Sequence, residues 1–269
     1  GIFAEQSIAR LFIAAIIPGV ISLLAYMLVI YFWVKIRPEV APQPDETISR
    51  EARLKSLLDC WAILALFVVV IGGIYIGLFT PTEAAGVGAS ATLILGLLLG
   101  RLKTDGMLRA LKESVFQTSM IFVIAIGGKL FVNFIALTGL ANEITFWIES
   151  TDASMFVVIG LIVVMYIFLG MFLDPIGIIL LSLPLTIPIV EAYGLSLIWF
   201  GVVVVKLLEI GLVTPPIGLN VFVIKSIVDK TIKLESIFKG VGLFLVAEVF
   251  VLALIICVPA VSLLLTAFV

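Results

Sequence analysis

Long apolar runs recur from one end of this chain to the other, and each approaches the roughly 20 residues that a helix needs to cross a bilayer. Residues 11–34 form one, bounded by Arg10 and Lys35. Residues 57–78 and 84–100 follow, joined by the short Phe79-Thr80-Pro81-Thr82-Glu83 connection, and residues 115–137 and 237–265 are long enough as well. A soluble fold could not hide that surface. Of 269 residues, 63% are hydrophobic and 13% charged, against roughly a quarter charged in an average soluble protein. The mean hydropathy of +1.34 agrees. The expectation is an all-α polytopic membrane protein. A net charge of −2 gives nucleic acid nothing to hold. Cys60 and Cys257 lie far apart inside apolar runs and read as small apolar residues rather than a disulfide. There is no histidine, which removes the commonest metal ligand and proton shuttle. The chain opens on Gly1 with neither an initiator Met nor a signal-peptide pattern, and reads as a piece of a longer protein.

Between the long runs lie shorter pieces. Residues 103–113 are charged on one side, with Met107, Leu108 and Leu111 on the other, the pattern of a short helix lying at the membrane interface. Residues 138–152 are polar with an apolar stripe of Leu140, Ile144, Trp147 and Ile148, and read as a second interfacial helix. Two short apolar arms, 153–169 and 176–190, meet at Gly170-Met171-Phe172-Leu173-Asp174-Pro175. Basic residues cluster in 35–55 (five), 101–112 (four) and 225–239 (four), and are absent from the other connections. The positive-inside rule makes the basic segments cytoplasmic. The helices then alternate consistently only if 153–190 returns the chain to the side it entered. A re-entrant hairpin and a pair of short crossing helices both satisfy this. The tip lacks the Lys or Arg of an inside loop and the arms are short, so a hairpin entering from outside is the preferred reading.

Chemistry is expected where backbone is irregular at membrane depth, since such backbone must be buried in protein or line a polar cavity. Residues 197–224 could span, but Gly211-Leu212-Val213-Thr214-Pro215-Pro216-Ile217-Gly218-Leu219-Asn220 interrupts them. Two prolines remove two backbone donors and free the carbonyls one turn back. Gly211 and Gly218 admit conformations closed to other residues. The result is two half-helices, with free carbonyls, free N–H groups, the Thr214 hydroxyl and the Asn220 amide between them. Such a break suits Na⁺, which takes several oxygens, and a half-helix N-terminus suits a carboxylate. A kink that only helps packing is the alternative. Asp174 at the hairpin tip could ligate a cation, cap the second arm ahead of Pro175, or do both. Lys206 and Glu209 stand three apart on one helix face and read as a self-neutralising ion pair, or as groups for gating or substrate attraction. Lys129 and Glu248, isolated charges in apolar helices, read as partners in interhelical pairs. Thr80, Pro81 and Glu83 spell a capped helix start. No catalytic or nucleotide-binding motif appears, so no enzyme is expected.

Three segments, in this order and spacing, carry a family resemblance: Gly73-Ile74-Tyr75-Ile76-Gly77-Leu78-Phe79-Thr80-Pro81-Thr82-Glu83-Ala84-Ala85, the tip Gly170–Pro175, and the break Gly211–Asn220. The chain resembles the large membrane (M) subunit of tripartite ATP-independent periplasmic (TRAP) transporters over essentially its whole length. It looks like the C-terminal portion of that subunit, because the family's first hairpin and first Pro-Pro break are missing. The resemblance implies the second half of an inverted-repeat elevator transporter of the ion-transporter superfamily type, with a re-entrant hairpin and a broken helix. Residues 1–56 would be the last helix of the first repeat with a cytoplasmic linker, and 57–152 scaffold and interfacial arm helices. Residues 153–236 would be the transport domain, with hairpin 153–190 and broken helix 197–224, and 237–269 the C-terminal transmembrane helix.

The implied activity is Na⁺-coupled import of an organic carboxylate, of the sialic acid or C4-dicarboxylate kind, across the bacterial inner membrane. Na⁺ would be the coupling ion, with no organic cofactor. The implied partners are a periplasmic substrate-binding (P) protein, a small four-helix membrane (Q) subunit, the N-terminal half of the large subunit, and lipid. Carried onto this chain, the Na⁺ and substrate site would involve Gly170, Asp174, Pro175, Gly211, Thr214, Pro215, Pro216, Gly218 and Asn220, with Na⁺ near Asp174 and Thr214. A dicarboxylate or citrate symporter working without a binding protein is the close alternative, and a channel a more distant one.

Overall fold

The computed structural model describes residues 1–41, 49, 51, 55–56, 60–229 and 231–268. Among them there is no β-strand. The helices run α1 (Ile8–Ala14), α2 (Ile16–Ile36), α3 (Trp61–Tyr75), α4 (Pro81–Leu98), α5 (Thr104–Thr138), α6 (Leu140–Ser150), α7 (Met155–Gly170), α8 (Pro175–Ala192), α9 (Leu197–Val213), α10 (Leu219–Ile227), α11 (Leu234–Cys257) and α12 (Ala260–Leu263), with 3-10 turns at Pro38–Val40 and Leu265–Phe268. Among the described residues, Ile8–Ile36, Pro81–Leu98, Thr104–Thr138, Pro175–Ala192 and Leu234–Cys257 are long and apolar enough to cross a membrane. Large apolar side chains stand exposed along them, including Leu24, Met27 and Leu28 on α2 and Phe122, Val123 and Ile126 on α5. Apolar surface on this scale suits lipid and not water. The protein is a multi-pass membrane protein.

The chain forms two compact units, Val34–Ser119 and Gly1–Trp33 with Met120–Val269. In the smaller, α3 packs on α4. A full capping box starts α4: the Thr80 hydroxyl accepts from Glu83 N at 3.3 Å, and Glu83 Oε2 accepts from Thr80 N and from its hydroxyl, both at 2.9 Å. That is the start expected from the sequence. Residues 57–59 of the expected second span lie outside the described residues, as do Arg50, Arg53 and Lys230 of the basic clusters.

In the larger unit, α9 is the central element. Most of it is apolar and buried: Trp199, Phe200, Val202, Val203, Val204, Leu207, Leu208 and Ile210 are all enclosed, while Val205 and Glu209 stand exposed. Helices α1, α7, α8, α10, α11 and α12 all touch it. Lipid tails are as apolar as Leu, so such a bundle is held by close packing and a few interhelical hydrogen bonds. Trp199 Nε1 donates to Ile255 O at 2.8 Å, tying α9 to α11. The Tyr193 hydroxyl donates to Ala153 O at 2.7 Å, closing the open end of the α7–α8 hairpin.

Three boundaries differ from the sequence expectation. Residues 103–113 and 115–137 are not two helices but one, α5: Ser114 between them stays in helical backbone and caps no new start, and neither Gly nor Pro interrupts the junction. The last run does not continue to residue 265. It stops at Cys257, because Pro259 disfavours helical backbone at Val258, whose φ is −128°. The first run starts earlier, at Ile8, and is interrupted at Ala15 ahead of Pro18, whose ring nitrogen cannot donate to Ala14 O.

Candidate functional site

The hairpin tip and the helix break meet at two glycines. A Cβ placed on Gly211 would sit 2.6 Å from Gly170 Cα, and one on Gly170 would sit 2.7 Å from Gly211 Cα. Backbone therefore lies on backbone where the end of α7 crosses the end of α9. Small residues permit this approach between membrane helices and nothing larger does.

From Gly170 the chain turns through Met171–Leu173 into Asp174. The Asp174 carboxylate caps α8: its Oδ2 accepts from Ile176 N at 3.1 Å and from Gly177 N at 3.0 Å, with Pro175 at the first helical position. The capping role is thus filled through one oxygen, and Asp174 is exposed. Inside the hairpin the Tyr166 and Ser182 hydroxyls are 2.6 Å apart, and both residues are buried. Ser182 also bonds Ile178 O at 2.7 Å, and Thr186 donates to Ser182 O at 3.0 Å. This polar thread, unforeseen from the sequence, fastens the two arms together. Pro184 and Pro188 lie within α8 without ending it.

At the break α9 ends at Val213 and α10 starts at Leu219. Pro215 cannot donate to Gly211 O, and Thr214 N takes that carbonyl instead at 3.1 Å. The Thr214 hydroxyl takes Ile210 O at 2.6 Å. Leu212 O has no donor at its usual helical partner, which is Pro216. The Pro215–Pro216 peptide is cis. Gly218 caps α10 with φ +60° and ψ 65°, a left-handed conformation that L side chains rarely adopt. A Cβ there would also come within 2.9 Å of the Phe238 ring on α11. Asp174 and Thr214 do not hydrogen-bond to each other; each is engaged with its own helix.

Below the break stands a charged cluster. Lys206 and Glu209 form the expected pair, with Nζ 2.6 Å from Glu209 Oε2. The same ammonium lies 2.8 Å from Glu248 Oε2 on α11. Lys206 and Glu248 are buried, whereas Glu209 is about half exposed, at 56%. Glu248 therefore has the interhelical partner expected for it. The identity of that partner was not readable, since α9 and α11 come together only in the fold. Lys129 is exposed and has no ion pair among the described residues, contrary to the expected interhelical pair. Asn220 lines a cavity with Glu209 and Glu248, so it sides with the charged cluster and not with Asp174. Cys60 and Cys257 are both free thiols.

The sequence that folds this way has a counterpart among known families. The family model for the tripartite ATP-independent periplasmic transporter, DctM component, matches residues 1–261. The chain belongs to this family. Among relatives of this TRAP permease chain, the sialic acid TRAP transporter large permease protein SiaM of Vibrio cholerae is 33% identical over 266 residues, covering 98% of this chain and 61% of the relative. The C4-dicarboxylate TRAP transporter large permease protein DctM of Pseudomonas aeruginosa is 31% identical over 260 residues, or 96% and 60%. The isethionate TRAP transporter permease protein DctMQ of Oleidesulfovibrio alaskensis is 29% identical over 267 residues, or 97% and 41%. The chain thus spans about three fifths of the length of the large permeases it matches.

Proposed function

We propose that this TRAP permease chain forms part of a Na⁺-coupled secondary transporter of the bacterial inner membrane. It would import an organic carboxylate delivered by a periplasmic binding protein, in company with a small permease subunit. The relatives' names favour sialic acid or a C4-dicarboxylate as substrate. The carrying observation is the Gly170–Gly211 crossing, which seats the hairpin tip on the broken helix with no side chain between them. On this reading 153–190 and 197–224 move as the transport domain of an inverted-repeat elevator, and 57–152 supply scaffold and arms.

The residues present fit a sodium ion. Leu212 O lacks its helical donor, Asp174 has a second carboxylate oxygen beyond the one that caps α8, and both are oxygens, which a hard cation prefers. Gly170, Gly211 and Gly218 would shape the backbone around the ion, and Pro175, Pro215 and Pro216 would keep nearby carbonyls free of N–H donors. The helix start at Leu219 would favour a substrate carboxylate brought against it.

Uptake into proteoliposomes holding the large and small permeases tests the reading, with labelled sialic acid and succinate offered with and without Na⁺ and binding protein. Uptake is expected only when both are present. Uptake by the membrane protein alone would mark a binding-protein-independent symporter, and Na⁺-independent conductance a channel. At the site, Asp174→Asn keeps a good N-cap and removes only the charge. It should weaken Na⁺ dependence without changing stability; Thr214→Ala should weaken it too, with a modest loss of stability from the missing bond to Ile210 O. Wild-type Na⁺ dependence in both variants would place the ion elsewhere.

A further inference from the structure

The charges around Lys206 do not balance. One ammonium faces two carboxylates, at 2.6 Å and 2.8 Å, that of Glu248 buried among apolar helices and that of Glu209 about half exposed. Lys206 meets the Oε2 atom of each. Glu248 is 3% exposed, and apart from Lys206 and the Tyr26 hydroxyl its carboxylate has no partner among the described residues. Buried carboxylate oxygens are costly to leave this way, more so at membrane depth.

The same carboxylate lines an open cavity of about 370 Å³ bordered by α2, α9, α10 and α11. Glu209, Asn220 and Tyr26 line it too, and the rest of the wall is apolar. The Tyr26 hydroxyl stands against Glu248, and its ring packs edge-on against Phe244 at 5.4 Å. The polar part of the wall is therefore made of oxygen-bearing side chains. Lys206 is absent from that wall and opens instead, with Glu209, on a separate cavity bounded by α1, α2, α8 and α9.

We infer that the cavity beside Glu248 is a binding site for one monovalent inorganic cation of the sodium class. Glu248 and Glu209 are its anionic ligands, and the Asn220 and Tyr26 oxygens its neutral ones. One such ion brings the cluster to zero net charge. Lys206 holds the carboxylates from behind and stays out of the ion's way. The space is large enough for the ion to keep part of its water. A carboxylate substrate has no place here, because two like charges already face the cavity. The choice of sodium among alkali ions rests on the proposed Na⁺ coupling. The site itself does not, because neither carboxylate belongs to the hairpin tip or the break.

The test is equilibrium binding of radioactive sodium to the full chain in detergent, with choline replacing Na⁺ at fixed pH and ionic strength. Thermal unfolding is followed across the same titration. Wild type should show a binding component that weakens about tenfold or more in Glu248→Gln and in Glu209→Gln, the scale of one charge-assisted contact. Thr214→Ala should keep that component. Wild-type binding in either glutamate variant overturns the site. So does a drop in pH at zero Na⁺ that reproduces the whole Na⁺-induced thermal shift, since the occupant would then be a proton. Should Glu248→Gln fail to give monodisperse protein, Glu209→Gln, altered at a half-exposed position, decides alone. Binding lost only in Thr214→Ala would refute this site and leave the tip–break reading standing; binding lost only in the glutamate variants would do the reverse.

Discussion

A single methyl group at position 211 has nowhere to go, because the nearest atom it would meet is the Gly170 Cα, a backbone atom that cannot swing aside. Gly211→Ala and Gly170→Ala should each lower stability by about 1–3 kcal/mol, the usual scale of overpacking. Thermal unfolding of the detergent-solubilised chain measures this, and an unchanged midpoint would mean that α7 and α9 can separate freely. Lys206 is sensitive for the opposite reason. Lys206→Met leaves the buried Glu248 without its counter-charge, which should cost about 3–5 kcal/mol. Adding Glu248→Gln to that variant should restore a large part of the loss, and a double-mutant cycle isolates the coupling. Glu209, half in solvent, should contribute less to stability than Glu248 does.

Among the elements, the hairpin is where a hydrogen bond between helices can be weighed. Tyr166→Phe removes the hydroxyl bonded to Ser182 and should cost about 0.6 kcal/mol, at most about 1.7, the range for interhelical hydrogen bonds in a membrane. A larger loss would show the Tyr166–Ser182–Thr186 thread acting as a cooperative unit. Helix existence was legible throughout, because apolar length is a direct readout of bilayer thickness. The helix ends were legible where chemistry spelled them out, at Thr80-Pro81-Thr82-Glu83, Asp174-Pro175 and Gly211–Gly218. They were misread where the sequence changes solvent but not backbone. Residues 103–113 are amphipathic and 115–137 apolar, yet no cap or breaker separates them, and α5 runs through both. The candidate site was legible in its local half only. Lys206 with Glu209 is one turn of one helix, and Asp174 caps its own α8. Glu248 beside Lys206, Phe238 beside Gly218 and Gly170 on Gly211 are meetings between helices, and spacing along the chain carries no information about them.

At the scale of the whole molecule, α9 is the element around which the larger unit is built, and it is also the first half of the broken helix. Any displacement of the break is therefore felt by α7, α8 and α11 together. Anchoring α9 to α11 through Trp199 and Ile255 O makes Trp199→Phe a test of that linkage. Na⁺-dependent uptake should fall in this variant more than the stability of the purified protein does, if α9 and α11 move as one body. Equal, proportionate losses would reduce Trp199 to packing. The glycine crossing has a last consequence, for how variant libraries of this protein are read. A selection for transport will score positions 170 and 211 as indispensable, on a par with any true ligand. Neither carries a side chain that could hold an ion or a substrate. Intolerance there measures the width of a gap, and only variants that leave that width alone, such as Asp174→Asn or Glu209→Gln, speak to what is bound.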